Sequence, residues 1–148
     1  MKYEDSQRGI IQNRARKRQL IDYSGLKYGA ITPSDLDGFM EIHDKLFIFY
    51  EFKYVDPADK GKRLATITGG QGKAEMNIVN GLNANGKKAV LFICEHSNEN
   101  PEEDIVAHNC IVDKIFFNGE MHTPKEKRTC KEWTNKFIKK FLDDNFIT

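Results

Sequence analysis

Apolar and polar positions along the chain change their period several times, and each change predicts an element. Between Glu4 and Tyr23, the residues Ile10, Ile11, Ala15 and Ile21 fall on one arc. Arg14 and Arg18 intrude into it, so the helix predicted there is imperfectly amphipathic. The stretch YSGLKYGAITPSD follows, with Gly25, Gly29 and Pro33 marking loop or irregular structure. Two β-rich runs, Gly38–Ile42 and Leu46–Tyr54, flank the polar His43-Asp44-Lys45, which predicts a hairpin. A glycine-rich loop, ITGGQGK, then leads into helical spacing of Ala74, Ile78, Val79 and Leu82. That helix is expected from about Gln71 to Asn83, with Asn85-Gly86 as its stop. KKAVLFICEH is a continuous apolar run and predicts a central strand covered on both faces. Pro101 and the acids behind it predict a short helix from Glu102 to Asn109. CIVDKIFFNGEMHTP predicts a second hairpin turned at Asn118-Gly119. A last helix is expected from about Thr129 to Asp143, with Trp133, Phe137, Ile138 and Phe141 on one side. The order is α-β-β-α-β-(α)-β-β-α, with no internal repeat and no low-complexity tract.

A length of 148 residues favours a single α/β domain spanning 1–148. Hydrophobic content of 39% beside 30% charged residues is ordinary for a soluble protein. No apolar run approaches the ~20 residues a membrane span needs, and the first residues lack the apolar core of a secretory signal. No membrane contact is therefore expected. Three cysteines, an odd count without paired spacing, fit a reducing cytoplasm. The net charge of +1 conceals an uneven distribution. Arg8, Arg14, Arg16, Lys17 and Arg18 cluster near the start, and Lys125, Lys127, Arg128, Lys131, Lys136, Lys139 and Lys140 make the end basic. Acids gather around Asp35 and Asp37 and in Asn98–Asp104. Basic zones around an acidic centre suit a protein that grips phosphates and holds a cation, although solvated helix faces give the same pattern.

The six residues FYEFKY, Phe49 to Tyr54, place Glu51 and Lys53 inside an apolar run. On that strand Leu46, Ile48, Tyr50 and Phe52 share one face, and Phe47, Phe49, Glu51 and Lys53 the other. Both faces are largely apolar, so the strand is expected in the interior of the sheet, and its charges need a partner or a metal. A three-residue loop at His43-Asp44-Lys45 pairs Ile42 with Leu46. It then sets Asp37 across from Glu51, and Asp35 across from Lys53. Two carboxylates held so close repel unless a proton or cation lies between them, and Mg²⁺ fits a site of one or two carboxylates completed by water and phosphate. A two-residue loop would send the carboxylates to different faces. The rival reading of Asp35 and Asp37 is turn and cap chemistry in TPSDLDG, and that of Glu51 with Lys53 is a structural ion pair.

Asp37, followed by Glu51-Phe52-Lys53 on the second strand of a hairpin, resembles the PD-(D/E)XK nuclease superfamily. The text from Asn13 to Tyr54 is similar to its small phage-type nucleases, including Holliday-junction resolvases, and the order of elements is similar to their restriction-endonuclease-like αβββαβ core. The resemblance implies such a core as a mixed sheet flanked by helices, here with an extra C-terminal hairpin and helix. No Pro-Asp dipeptide precedes the motif, which leaves Asp35 and Asp37 as alternatives for the motif aspartate; Asp37 is preferred because it meets Glu51 in the register above. No clear counterpart exists for the glutamate that some relatives carry on the first helix. The resemblance implies Mg²⁺, with Mn²⁺ able to substitute, held by Asp37, Glu51 and the backbone carbonyl of Phe52, with Asp35 as a further candidate. It implies that Lys53 positions and helps activate the attacking water, that Gln71 lines the site, and that hydrolysis leaves a 5′-phosphate and a 3′-hydroxyl.

Arg14, Arg16, Lys17, Arg18, Lys60, Lys62 and Arg63 are candidate phosphate contacts, which would position DNA without reading its sequence. The expected activity is a structure-selective endonuclease acting on branched DNA, working as a homodimer. An alternative of another class is a non-catalytic module that binds nucleic acid or protein; the intact Asp37/Glu51/Lys53 set favours the enzyme. Cys94, His96, His108, Cys110 and His122 offer potential zinc ligands, but without the usual C-x₂₋₄-C spacing. Glu95 and His96 are placed near the hairpin site, and Trp133 is read as core.

Overall fold

A computed structural model describes residues 21–31, 33–34, 36–56, 58, 70–100 and 102–145. Contacts divide the chain into two units, residues 1–33 and 34–148. In the first unit, Ser24–Leu26 form a single 3-10 turn, and Tyr28 and Ile31 exchange backbone hydrogen bonds across a tight turn. Ile21 to Tyr23 belong to no helix; the remainder of the helix expected over Glu4–Tyr23 lies outside the described residues.

The second unit is a five-stranded mixed sheet with two helices. Its strands are β1 (Gly38–Ile42), β2 (Leu46–Tyr54), β3 (Lys88–His96), β4 (Ile111–Phe117) and β5 (Glu120–His122), hydrogen-bonded in that order. Helix α1 (Gly70–Ala84) lies in the crossover between the parallel strands β2 and β3, and α2 (Cys130–Asn145) follows β5. The other strand pairs are antiparallel. Among the described residues, two strands rather than three precede α1, so the third strand of an αβββαβ core is not seen there.

The first hairpin has the expected register: Ile42 pairs with Leu46 and Gly38 with Tyr50. Its turn is closed by the Lys45 N–H donating to the Ile42 carbonyl at 2.9 Å. His43 and Asp44 both take positive φ, the mirror-image twist that suits a hairpin. The second hairpin turns at Asn118-Gly119, again with positive φ at both residues. Helix α1 stops where Gly86, at φ 79°, turns the chain; the Lys87 N–H then donates to the Leu82 carbonyl and occupies one of the open carbonyls of the last turn. The short helix expected from Glu102 to Asn109 is not formed. Only a 3-10 turn at Ala107–Asn109 is present, because Asn98 and Asn100 side chains bind the neighbouring backbone and favour turns.

The sheet is covered on both sides. Leu46, Ile48, Tyr50, Val90, Phe92 and Cys94 face α2 and pack with Phe141, Phe137, Trp133 and Ile138. Phe49, Leu91, Ile93 and Phe116 face α1 and pack with Val79, Met76 and Leu82. Strand β2 is thus interior, as its two apolar faces predict. The buried Tyr50 hydroxyl and Thr134 Oγ1, 2.8 Å apart, tie β2 to α2. Burial pushes the phenol of Tyr50 up to about 12. All three cysteines are buried and free. Among the described residues no helix is long and apolar enough to cross a membrane.

Helix α2 begins with a capping box: Thr129 N–H donates to Glu132 Oε1, and Glu132 N–H to Thr129 Oγ1, each at 3.2 Å. Thr129→Ala is expected to lower unfolding free energy by about 1 kcal/mol. Phe92→Ala, at a fully buried core position, should cost roughly 3–5 kcal/mol. Urea denaturation of both variants checks the contrast.

Candidate active site

Strand alternation puts Glu51 on the α1-facing side of β2, after Phe47 and Phe49, so its carboxylate enters the covered side of the sheet. It is only 4% exposed. Lys53, the next residue on that face, reaches back so that its Nζ lies 2.9 Å from Glu51 Oε1. Oε2 of Glu51 is buried and has no hydrogen-bond donor. Glu51 is therefore neither solvated nor fully compensated, while the Lys53 side chain stays 26% exposed.

A third acid, which the sequence reading did not single out, completes the surroundings. Glu75 lies four residues before Val79 and seven before Leu82, hence on the stripe of α1 that packs against the sheet. It is 2% exposed, and neither of its carboxylate oxygens has a donor. Its pKa is raised to about 9, first by burial, then by a carboxyl–carboxyl hydrogen bond to Glu51, then by the charges of Glu51 and Asp37; Lys53 offsets part of this. As two carboxylates the groups have no proton to share. A proton on Glu75 supplies the missing donor, which is why that acid resists ionisation. The signal was present: a glutamate at helical spacing from two buried apolar residues. The buried stripe runs through Glu75 and Val79, whereas Ile78, which the apolar arc included, is 42% exposed.

Asp37 immediately precedes β1. Continuing the ladder one step beyond Gly38–Tyr50 sets it opposite Glu51, as expected from the three-residue loop. Its Oδ2 accepts the Phe52 N–H at 2.8 Å, extending the ladder with a side chain where β1 ends. The N–H and carbonyl of a strand residue face the same edge, so the Phe52 carbonyl is directed to the side where Asp37 lies. Asp37, Glu51, Lys53 and Phe52 are thus brought together, with Glu75 added from α1. Gln71 stands in the first turn of α1. Asp35, Arg14, Arg16, Lys17, Arg18, Lys60, Lys62 and Arg63 lie outside the described residues.

The parallel register pairs Lys53 with Glu95 and Tyr54 with His96. Glu95 shares the face of Lys53, whereas His96 is on the other face, edge-on to Tyr54 with centroids 5.8 Å apart. The remaining candidate zinc ligands have other surroundings: Cys94 is in the core with its thiol pushed up by a hydrogen bond to Cys130 and by burial, Cys110 is buried, His108 is in the 3-10 turn, and His122 stacks on Phe117 at 4.6 Å. Trp133 is half-buried against the core and carries Lys136 over its ring at 4.9 Å.

The buried carboxylates of Glu51 and Glu75, with Asp37 nearby, are oxygen donors of the kind a hard divalent cation takes. Among the described residues no three His, Cys, Asp or Glu side chains form a ready metal-binding group. Mg²⁺ does not require one, since it keeps several waters and takes one or two carboxylates. No family model, no curated protein and no solved structure matches the chain.

Because the folded pKa of Glu75 lies above its ordinary value of 4.5, the folded state binds more protons than the unfolded state between 4.5 and about 9. The resulting stability is full below pH 4.5 and is lost as pH rises toward 9, with a slope of at most about 1.4 kcal/mol per pH unit. Urea unfolding in EDTA is expected to show this decline. Glu75→Gln, which keeps the shape without the titration, should flatten it.

Proposed function

We propose that the chain is a divalent-metal-dependent deoxyribonuclease of the PD-(D/E)XK type, hydrolysing phosphodiester bonds. The observation that carries the reading is the meeting of Asp37, Glu51 and Lys53 around a buried, under-compensated carboxylate cluster, on a hairpin whose register matches the motif. A covered strand keeps an unsatisfied carboxylate only at a cost of several kcal/mol, and a cation or proton would remove it. The two-stranded lead into α1 falls short of the full αβββαβ order, so the reading rests on the site.

Asp37, Glu51, the Phe52 carbonyl and Glu75 are the groups that would hold Mg²⁺ or Mn²⁺. When bound, the ion would supply Lewis acidity at the scissile phosphate and lower the pKa of a water. The chain's own residues supply position and charge. Asp37 fixes the Phe52 peptide through its N–H. Glu51 holds the Lys53 ammonium on the site face, where it would orient a water or steady charge on the phosphoryl oxygens. Rigid placement of this kind accounts for much of what such chemistry requires. Structure-selective cutting of branched DNA by a pair of copies is the subclass proposed, since phosphate contacts and shape suffice for it.

Purified protein is to be incubated with linear, circular, single-stranded and four-way DNA in Mg²⁺, Mn²⁺ or EDTA. Cutting in either metal and none in EDTA is expected, with the four-way junction preferred. Lys53→Ala should reduce turnover by on the order of 10²–10³ while the junction is still bound in a gel-shift assay. Binding without cutting under every ion would replace the enzyme with a nucleic-acid-binding module.

A further inference from the structure

A cavity of about 590 Å³ opens at the end of the sheet where β2 and β3 begin. It lies on the α2 side, while Glu51 and Lys53 stand five or more residues further along β2 on the opposite face, on the order of 16 Å away along the strand. Buried Leu46, Val90 and Phe141 form its base, and half-buried Phe117, Trp133 and Phe137 its walls. Four lysines, Lys87, Lys88, Lys136 and Lys140, stand around it. Two are neutralised locally: Lys87 by Asp44 at 2.6 Å, and Lys88 by Asp144 at 3.3 Å. Among the described residues no carboxylate pairs with Lys136 or Lys140. These two are four apart on α2, so they stand one turn above the other, and like charges at that spacing repel.

An apolar hollow of ligand size beside two cations without a carboxylate partner, Lys136 resting over the Trp133 ring, is complementary to one kind of molecule. We propose that the cavity binds a small amphiphilic anion, its apolar tail against Phe117, Trp133 and Phe137 and its charged head between Lys136 and Lys140. The tail removes aromatic and aliphatic surface from water, and the head relieves the repulsion along α2. Inorganic phosphate matches the lysines alone and leaves the apolar walls wet. The site is independent of the nuclease reading, because it shares no residue with the acid cluster.

Trp133 is the chain's single tryptophan and lines the cavity, so its fluorescence reports occupancy directly. The full chain, in EDTA, is to be titrated with butanoate, octanoate and dodecanoate below their aggregation thresholds. Saturable one-to-one binding is expected, tightening by roughly tenfold for every two methylenes added. Lys136→Glu with Lys140→Glu, its fold checked by circular dichroism, should weaken dodecanoate by on the order of tenfold. Lys53→Ala should leave it unchanged. Affinity independent of chain length, or equal competition by inorganic phosphate, would reduce the site to a charge patch and overturn the proposal. Much tighter binding after removal of residues 146–148 would also overturn it, by making the chain's own terminus the occupant.

Discussion

Ionised oxygen is costly in a place that water cannot reach, and the interface between β2 and α1 contains more of it than the protein neutralises. Glu51 has one oxygen satisfied by Lys53; its other oxygen and both of Glu75 find no donor unless the two acids share a proton. A fold stabilised by apolar packing would ordinarily place leucine or valine at such positions, as it does at Val79 and Leu91 on either side. Retaining two acids there removes packing energy and makes stability depend on a bound proton or cation. Lys53 answers that constraint by setting its ammonium on Glu51, whereas the charge of Asp37 adds to the proton affinity of Glu75.

Much of the architecture was readable because it is set locally. The turn at His43–Lys45 fixes the parity of the first hairpin, and parity decides which side chains share a face. Gly86 ends α1 and Asn118-Gly119 reverses the chain, each through positive φ that few other residues tolerate. Strand β3 advertises its central place by having no polar residue between Ala89 and Cys94. Asp37, Glu51 and Lys53 could be associated in advance for the same reason: they belong to one hairpin.

What escaped was non-local. Glu75 meets Glu51 only because α1 packs on the sheet with a particular rotation, and apolar spacing alone defines that rotation to within about one residue. Ile78 pulled the expected stripe to one side of its true line. The register of β4 against β3 shifts between Ile93 and Cys94, so Asp113 is passed over, and no turn chemistry nearby announces it. The helix expected at Glu102 had acids suited to a first turn, but asparagine side chains captured the backbone instead.

The parallel pairing of β2 with β3 has a consequence for how the molecule comes together. A hairpin can zip from its turn, but these two strands meet only after the whole crossover, including α1, has been closed into a loop. Glu51 and Glu75 are separated by 24 residues of chain and meet only when α1 packs on the sheet. Their electrostatic cost is therefore tied to the same packing step that buries Val79 and Leu82 of α1 against Phe49 and Leu91. A chain that joined these acids earlier would meet the electrostatic cost before the hydrophobic gain that offsets it.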